Sequence, residues 1–233
     1  MGIYRWCVVC LLGVVGLNAG CGYKAARVAE EAESNARAAQ TNLTSEKAGK
    51  PTTSKTEDPA VKAVQRLEKK GMVTRDEEAP AKPVIGVKIV NQELGNDDLK
   101  ALAALKGVCE LDISGTPVTD VGLKELKELT GLQMLNLSST KISDSGLREL
   151  KEFKNLQKLY LANTLVTDAG LKDLNELSNL QTLDLTATKI TDSGLKELLG
   201  LKSLKYLNLA NTMVTNEGVA DLKKELPECV FLR

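Results

Sequence analysis

Leu135-Asn-Leu-Ser-Ser-Thr-Lys-Ile-Ser-Asp-Ser-Gly-Leu-Arg-Glu-Leu-Lys-Glu-Phe-Lys-Asn-Leu156 returns every 24 residues. Leu111, Leu135, Leu159, Leu183 and Leu207 form one column of the repeat. Thr116, Thr140, Thr164, Thr188 and Thr212 form a second, and Gly122, Gly146, Gly170, Gly194 and Gly218 a third. A fixed period of this length, without slippage, means stacked supersecondary units that bury one continuous core.

Each copy reads L-x-L-x-x-T-x-[VI]-[TS]-[DN]-x-G-[LV]-x-x-L. Its first half alternates: Leu135 and Leu137 face one way, Met134, Asn136 and Ser138 the other. That is a short strand with one buried face. In the second half Leu147, Leu150, Phe153 and Leu156 are spaced by three, which predicts a helix with one buried stripe. Ser or Thr followed by Asp opens each helix, Asn216 replacing Asp in the last copy. Such side chains cap free N–H groups, and a carboxylate suits the positive end of the helix dipole. The glycine two residues later is a poor helix former and is expected to let adjacent coils approach closely. One Thr per coil at the strand exit is expected to bond the backbone of the turn, because turn groups in a packed solenoid need partners. Leu159, central in the stack, is expected to be fully buried.

Leu132-x-x-Leu135-x-Leu137-x-x-Thr140-x-Ile142 resembles the leucine-rich repeat family, whose core reads L-x-x-L-x-L-x-x-N-x-L, with Thr at the Asn position. The T-D-x-G-L that follows the strand is similar to the ribonuclease-inhibitor-like subclass. Thr74-Arg-Asp-Glu77 and Leu222-Lys-Lys-Glu-Leu-Pro-Glu-Cys229 resemble segments of planctomycete leucine-rich repeat lipoproteins. The resemblance implies a right-handed α/β solenoid. Short parallel strands line its concave face and helices its convex face.

Composition removes several classes of function. Charge is balanced, 31 basic against 31 acidic residues, so nothing favours nucleic acid or an anionic surface. Aromatics at 3% suit base stacking poorly. The chain has no histidine, the commonest general base and metal ligand. No P-loop, G-x-S-x-G elbow or metal-ligand spacing appears, so the chain reads as non-enzymatic, without cofactor, metal or small-molecule substrate. The Asp120, Asp144, Asp168, Asp192 column supplies one carboxylate per coil, whereas calcium needs several oxygens converging on one point. Cys109 and Cys229 lie five repeats apart, roughly 24 Å at the spacing of stacked strands, too far to pair with each other. Both read as small core or edge residues.

Residues 1–20 read as a secretory signal: Arg5 is its positive region, and Trp6 to Leu17 is an apolar run too short to span a bilayer. Ala19-Gly20-Cys21 resembles a lipoprotein cleavage site, although Asn18 stands where an aliphatic residue is usual. Cys21 is therefore expected to carry lipid and hold the protein at the bacterial cell envelope, on the periplasmic or outer-membrane side. Residues 21–59 read as a flexible tether, part helical between Tyr23 and Gln40. Residues 60–86 read as a capping helix and strand, with Val61, Val64 and Leu67 at the spacing of Leu99, Leu102 and Leu105, and Gly71 at the helix end. Repeats occupy 87–233. The first is degenerate, with Gln92 at the Thr position and Asn96-Asp-Asp98 in place of Asp-x-Gly. In the last, Leu226-Pro-Glu-Cys229 inserts about one residue before a closing strand, Val230-Phe-Leu232.

Function is sought on the outward face of the strands, where residues do not repeat. The Lys/Glu-rich helix faces, as in Lys124-Glu-Leu-Lys-Glu128, read as solvated surface. Tyr160 on the central strand, ringed by Met134, Asn136, Lys158, Asp184 and Tyr206, is the candidate contact patch for an unknown protein or peptide. Tyrosines bring large area with few rotatable bonds, and the flanking charges would set register. Two other functions fit the same sequence: inhibition of a secreted enzyme, by resemblance, or a structural envelope spacer.

Overall fold

In the computed structural model, residues 59–79 and 81–233 are described. The signal, Cys21 and the tether lie outside them. The chain divides into two units, one of which includes Arg75–Pro83 and the other Lys55–Thr74 with Val84–Arg233. Within Arg75–Pro83, the Asp76 N–H donates to the Pro83 carbonyl at 2.9 Å, and Asp76 Oδ1 accepts from the Glu78 and Ala79 N–H groups. The TRDE sequence thus supplies the residue that closes its own loop.

The larger unit is one sheet of eight strands in sequence order: β1 (Met72–Arg75), β2 (Val84–Lys88), β3 (Glu110–Asp112), β4 (Met134–Asn136), β5 (Lys158–Tyr160), β6 (Thr182–Asp184), β7 (Tyr206–Asn208) and β8 (Val230–Leu232). From β2 onward every pair is parallel, and every register advances by one 24-residue repeat, as in Leu111↔Leu135 and Leu159↔Leu183. The middle Leu of each strand from β3 to β7 points inward and is fully buried, Leu159 among them. The first full coil follows β2, which starts before the expected repeat boundary at Val87; Ile89 is buried at its exit.

Helices return the chain to the sheet. α1 (Pro59–Glu68) precedes β1, α2 (Asn96–Ala103) follows β2 and α3 (Asp120–Lys124) follows β3. The next three, α4 (Asp144–Leu147), α5 (Asp168–Leu171) and α6 (Asp192–Leu195), are one turn long and continue as 3₁₀ turns over Arg148–Glu152, Lys172–Glu176 and Lys196–Gly200. The reason is in the spacing. Apolar residues every three positions match the 3.0-residue turn of a 3₁₀-helix, not the 3.6 of an α-helix. α7 (Asn216–Glu225) is α-helical throughout. Four residues at about 1.5 Å and five at about 2.0 Å span about 16 Å, while ten α-helical residues span about 15 Å. The all-α return therefore takes one more residue to cover the same distance. This is the insertion at Leu226, and it is recovered before β8, which keeps the register Tyr206↔Val230.

The threonine column behaves as expected. Thr116, Thr140, Thr164, Thr188 and Thr212 each donate a hydroxyl to the carbonyl three residues back, at 2.5–2.7 Å. The aspartate column does not cap its own helix. Capping falls to the preceding residue: Ser143, Thr167 and Thr191 each accept from the N–H two residues on. The carboxylate instead reaches the next coil. Thr191 donates its N–H to Asp168 Oδ1 at 2.8 Å and its hydroxyl to Asp168 Oδ2 at 2.6 Å. Asp120–Ser143, Asp144–Thr167 and Asp192–Thr215 repeat the pair. Glycine is required beside it, since a Cβ on Gly194 would lie 2.2 Å from Asp168 Oδ1. Close approach of coils was the expectation; the Asp that occupies the gap is what the structure adds.

At the N-terminal end, α1 buries Ala63, Val64 and Leu67, while Val61 stays exposed. Asp98 is buried and accepts from Arg66 Nε at 2.5 Å, Lys70 Nζ at 3.0 Å and the Gly95 N–H at 2.9 Å. Burial works against its ionised form, but these three donors outweigh it and hold the carboxyl below its usual range. Cys109 and Cys229 are both buried, and burial pushes the Cys229 thiol up to about 11.

Candidate binding face

The residues flanking each buried strand leucine stand on the outer face of the sheet. Met134 and Asn136 on β4, Lys158 and Tyr160 on β5, Asp184 on β6 and Tyr206 on β7 all lie there. The register sets Met134 beside Lys158, Asn136 beside Tyr160, Tyr160 beside Asp184 and Thr182 beside Tyr206. The six candidate residues therefore share one surface.

Three of them make local contacts that the sequence does not show. Tyr160 is half-buried between its neighbours in the register, not freely exposed. Burial, and then the Asp184 charge, raise its phenol above the usual range. Asp184 is committed locally: its Oδ1 accepts the N–H and the hydroxyl of Thr186 at 2.9 and 2.5 Å. Asn136 Oδ1 likewise accepts the Ser138 N–H at 3.0 Å. Both side chains hold the strand exit through these bonds. Asp112 and Asn208 do the same for Ser114 and Ala210. The turns after β3, β4, β6 and β7 are thus supported from outside by an Asx side chain and from inside by Thr, while after β5 Tyr160 takes the Asx place.

A cluster of exposed apolar side chains on this face lies further along the stack. Tyr206 is 54% exposed, and its register neighbours are Val230 at 49% and, beside Asn208, Leu232 at 54%. Sequence reasoning took Val230 and Leu232 only as a closing strand. Their alternation with Phe231, which packs against the core, was the signal available. At the N-terminal end a single apolar side chain, Met72 on β1, is 65% exposed; next along, Lys88 lies 3.7 Å from Asp112, beside the exposed Glu110.

The helix side is different. Its charges pair from coil to coil: Lys106 with Glu128, Lys124 with Glu149, Arg148 with Asp173 and Lys154 with Glu176, at 2.6–3.7 Å. No group of three His, Cys, Asp or Glu side chains placed to hold a metal occurs among the described residues. No described helix is long and apolar enough to cross a membrane.

Models of leucine-rich repeats match residues 154–197, as two copies, and residues 110–127 and 130–151, as single repeats. The chain is a leucine-rich repeat protein. Its fold is similar to that of internalin C2 from Listeria monocytogenes, with a TM-score of 0.52 and 19% identity over 75% of this chain and 82% of that one. The Listeria monocytogenes internalin inlF aligns with a TM-score of 0.48 and 18% identity over 74% of this chain. This leucine-rich repeat protein spans 54% of the length of inlF. At these identities the likeness is one of fold. No curated protein matches the chain.

Proposed function

We propose that this leucine-rich repeat protein is a non-catalytic binding module that takes a protein or an extended peptide on its outer strand face. One observation carries the reading. Charges on the helix side pair between coils at several places, whereas Tyr206, Val230 and Leu232 form an exposed apolar cluster with no such engagement. A compact apolar cluster with an aromatic anchor and a polar surround is the usual centre of a protein interface. Tyr160 lies two strands from Tyr206, roughly 10 Å, so one ligand can touch both. Lys158 and Met134 extend the surface toward the centre of the sheet.

The test places a photo-reactive amino acid at position 206 or, as a helix-side control, at position 172, in intact cells. A discrete adduct at 206 and none at 172 supports the strand face; an adduct at 172 alone overturns it. With the partner in hand, Tyr206→Ala should weaken binding by about 2 kcal/mol or more.

The second part of the proposal is location. Ala19-Gly20-Cys21 after a short apolar run supports export and lipid attachment at Cys21, which would hold the binding face at the cell envelope. Cys21→Ser should release the protein from the membrane fraction or stall its processing. Unchanged retention and unchanged mass would refute the anchor.

A further inference from the structure

We infer that the flank of the stack just beyond the strands is a second docking surface, and that it takes an acidic amphipathic helix. Leu165 and Met213 are 56% and 59% exposed, and neither belongs to the strand face. Both occupy one position of the repeat, the residue after the column threonine. On five successive coils that position reads Pro117, Lys141, Leu165, Lys189, Met213. Apolar and cationic side chains alternate without a break. The residues that follow them, from Val118 to Val214, are buried, so the column faces out.

The backbone fixes the spacing. Lys141, Leu165, Lys189 and Met213 donate their N–H groups to Val118, Ile142, Val166 and Ile190 of the preceding coils, at 2.9–3.3 Å. Parallel bridges Thr119↔Lys141, Ser143↔Leu165 and Thr167↔Lys189 accompany them. The flank is a second small parallel ladder, with steps of about 4.8 Å. Among the described residues no ion pair involves Lys141 or Lys189. The carboxylates of the same flank, Asp120, Asp144, Asp168 and Asp192, are each held by a hydroxyl and an N–H of the next coil. The two lysines are the uncommitted charges of this surface.

A complementary chain must present apolar, acidic and apolar groups on one face at steps near 4.8 Å. An extended strand returns to the same face every second residue, about 6.7 Å. A polyproline helix does so every third, about 9.3 Å, with nothing on that face between. An α-helix returns once per turn, about 5.4 Å. Apolar residues at i, i+7 and i+14 then lie about 10.5 and 21 Å apart, against about 9.6 and 19 Å for alternate coils. Carboxylates at i+3 or i+4, and at i+10 or i+11, fall opposite Lys141 and Lys189. The mismatch of about 2 Å over five coils is within the reach of flexible Lys and Met side chains. Only the helix meets the alternation.

The probe is a synthetic peptide of about 20 residues with leucine at i, i+7 and i+14, glutamate between them and alanine or glutamine elsewhere. A second peptide carries lysine for glutamate. Binding to the full chain is read by fluorescence anisotropy, with circular dichroism as the check that each variant folds. The acidic peptide should bind, the basic one should not, and Leu165→Glu should weaken binding at least tenfold. The double variant Lys141→Glu, Lys189→Glu should invert the preference between peptides, and Tyr206→Ala should leave it unchanged. Absence of binding, equal binding of both peptides, or binding indifferent to Leu165→Glu and to charge reversal would overturn the inference. A Tyr206→Ala effect in place of a Leu165→Glu effect would assign the peptide to the strand face and overturn it too.

Discussion

Asp168 and Gly194 should be coupled strongly enough for one substitution to reverse sign when the other is present. Asp168 accepts two bonds from Thr191, at 2.8 and 2.6 Å. Hydrogen bonds to a charged acceptor contribute about 1.5–3 kcal/mol each, and this pair is only partly buried, so Asp168→Ala should cost about 3 kcal/mol. Gly194→Ala places a Cβ 2.2 Å from Asp168 Oδ1 and 2.8 Å from its Cγ. The carboxylate can move aside only by releasing Thr191, which costs the same 3 kcal/mol or so, less about 1 kcal/mol for replacing Gly by Ala in a helix. The net is about 2 kcal/mol. With Asp168 already Ala, both short contacts disappear, and the remaining approach, to the Asp168 Cα, is 3.1 Å. Gly194→Ala should then stabilise by a few tenths to about 1 kcal/mol. Urea unfolding of the four proteins, followed by circular dichroism, measures the cycle, with an expected coupling of about 3 kcal/mol. Costs that simply add, with a coupling below about 0.5 kcal/mol, would show that the inter-coil carboxylate does not require the glycine.

Leu159→Ala should cost about 2–5 kcal/mol in the same assay, and a loss below about 0.5 kcal/mol would contradict its place in a fully packed coil. Ala187 has φ of +55°, where Asn163 and Asn211 stand in neighbouring coils, so Ala187→Asn should stabilise by about 0.5–1 kcal/mol; an unchanged or lower urea midpoint would refute this. The Asp98 carboxyl is held below its usual range, so its contribution is present above the unfolded value near about 3.9 and is lost as pH falls through the folded one. Asp98→Asn should therefore show a smaller fall in urea midpoint between pH 5 and pH 3 than the parent chain, and an equal fall would refute the linkage.

The sequence carried the parts of the fold that every coil repeats. Alternation around Leu135 and Leu137 gave the strands, the period gave a register that holds from β2 to β8, and the threonine column found its backbone partner. What it missed depends on neighbours that one coil does not contain. Asp144 bonds Thr167, 23 residues away, yet within a single repeat only the helix beside it is in view. Tyr160 alternates outward as expected, but alternation says nothing of how deeply its ring sits, and it is half-buried. Spacing by three is legible as helix in general, and its match to the 3.0-residue turn distinguishes 3₁₀ from α. Val230 and Leu232 were obscured because the extra residue of α7 blurs the count into the last strand. The Arg66–Asp98 pair spans 32 residues in an atypical cap, where no repetition marks it.

A solenoid imposes a rule on where function can sit. A polar side chain that recurs in every coil finds a partner that also recurs, so its bonding capacity is absorbed inside the stack. The threonines bond carbonyls, the aspartates bond the next coil, and helix-side lysines and glutamates bond one another. Free capacity is left where columns break the repeat. Along the strands the break is Tyr206, Val230 and Leu232; along the flank it is Leu165 and Met213 among lysines. The coil from Tyr206 to Met213 contributes to both, and between them it presents Asn208, Ala210 and Asn211, short side chains over which a bound chain can pass from one surface to the other. The repeat columns hold the coils together, and the two proposed surfaces are both built from departures in the C-terminal half of the stack.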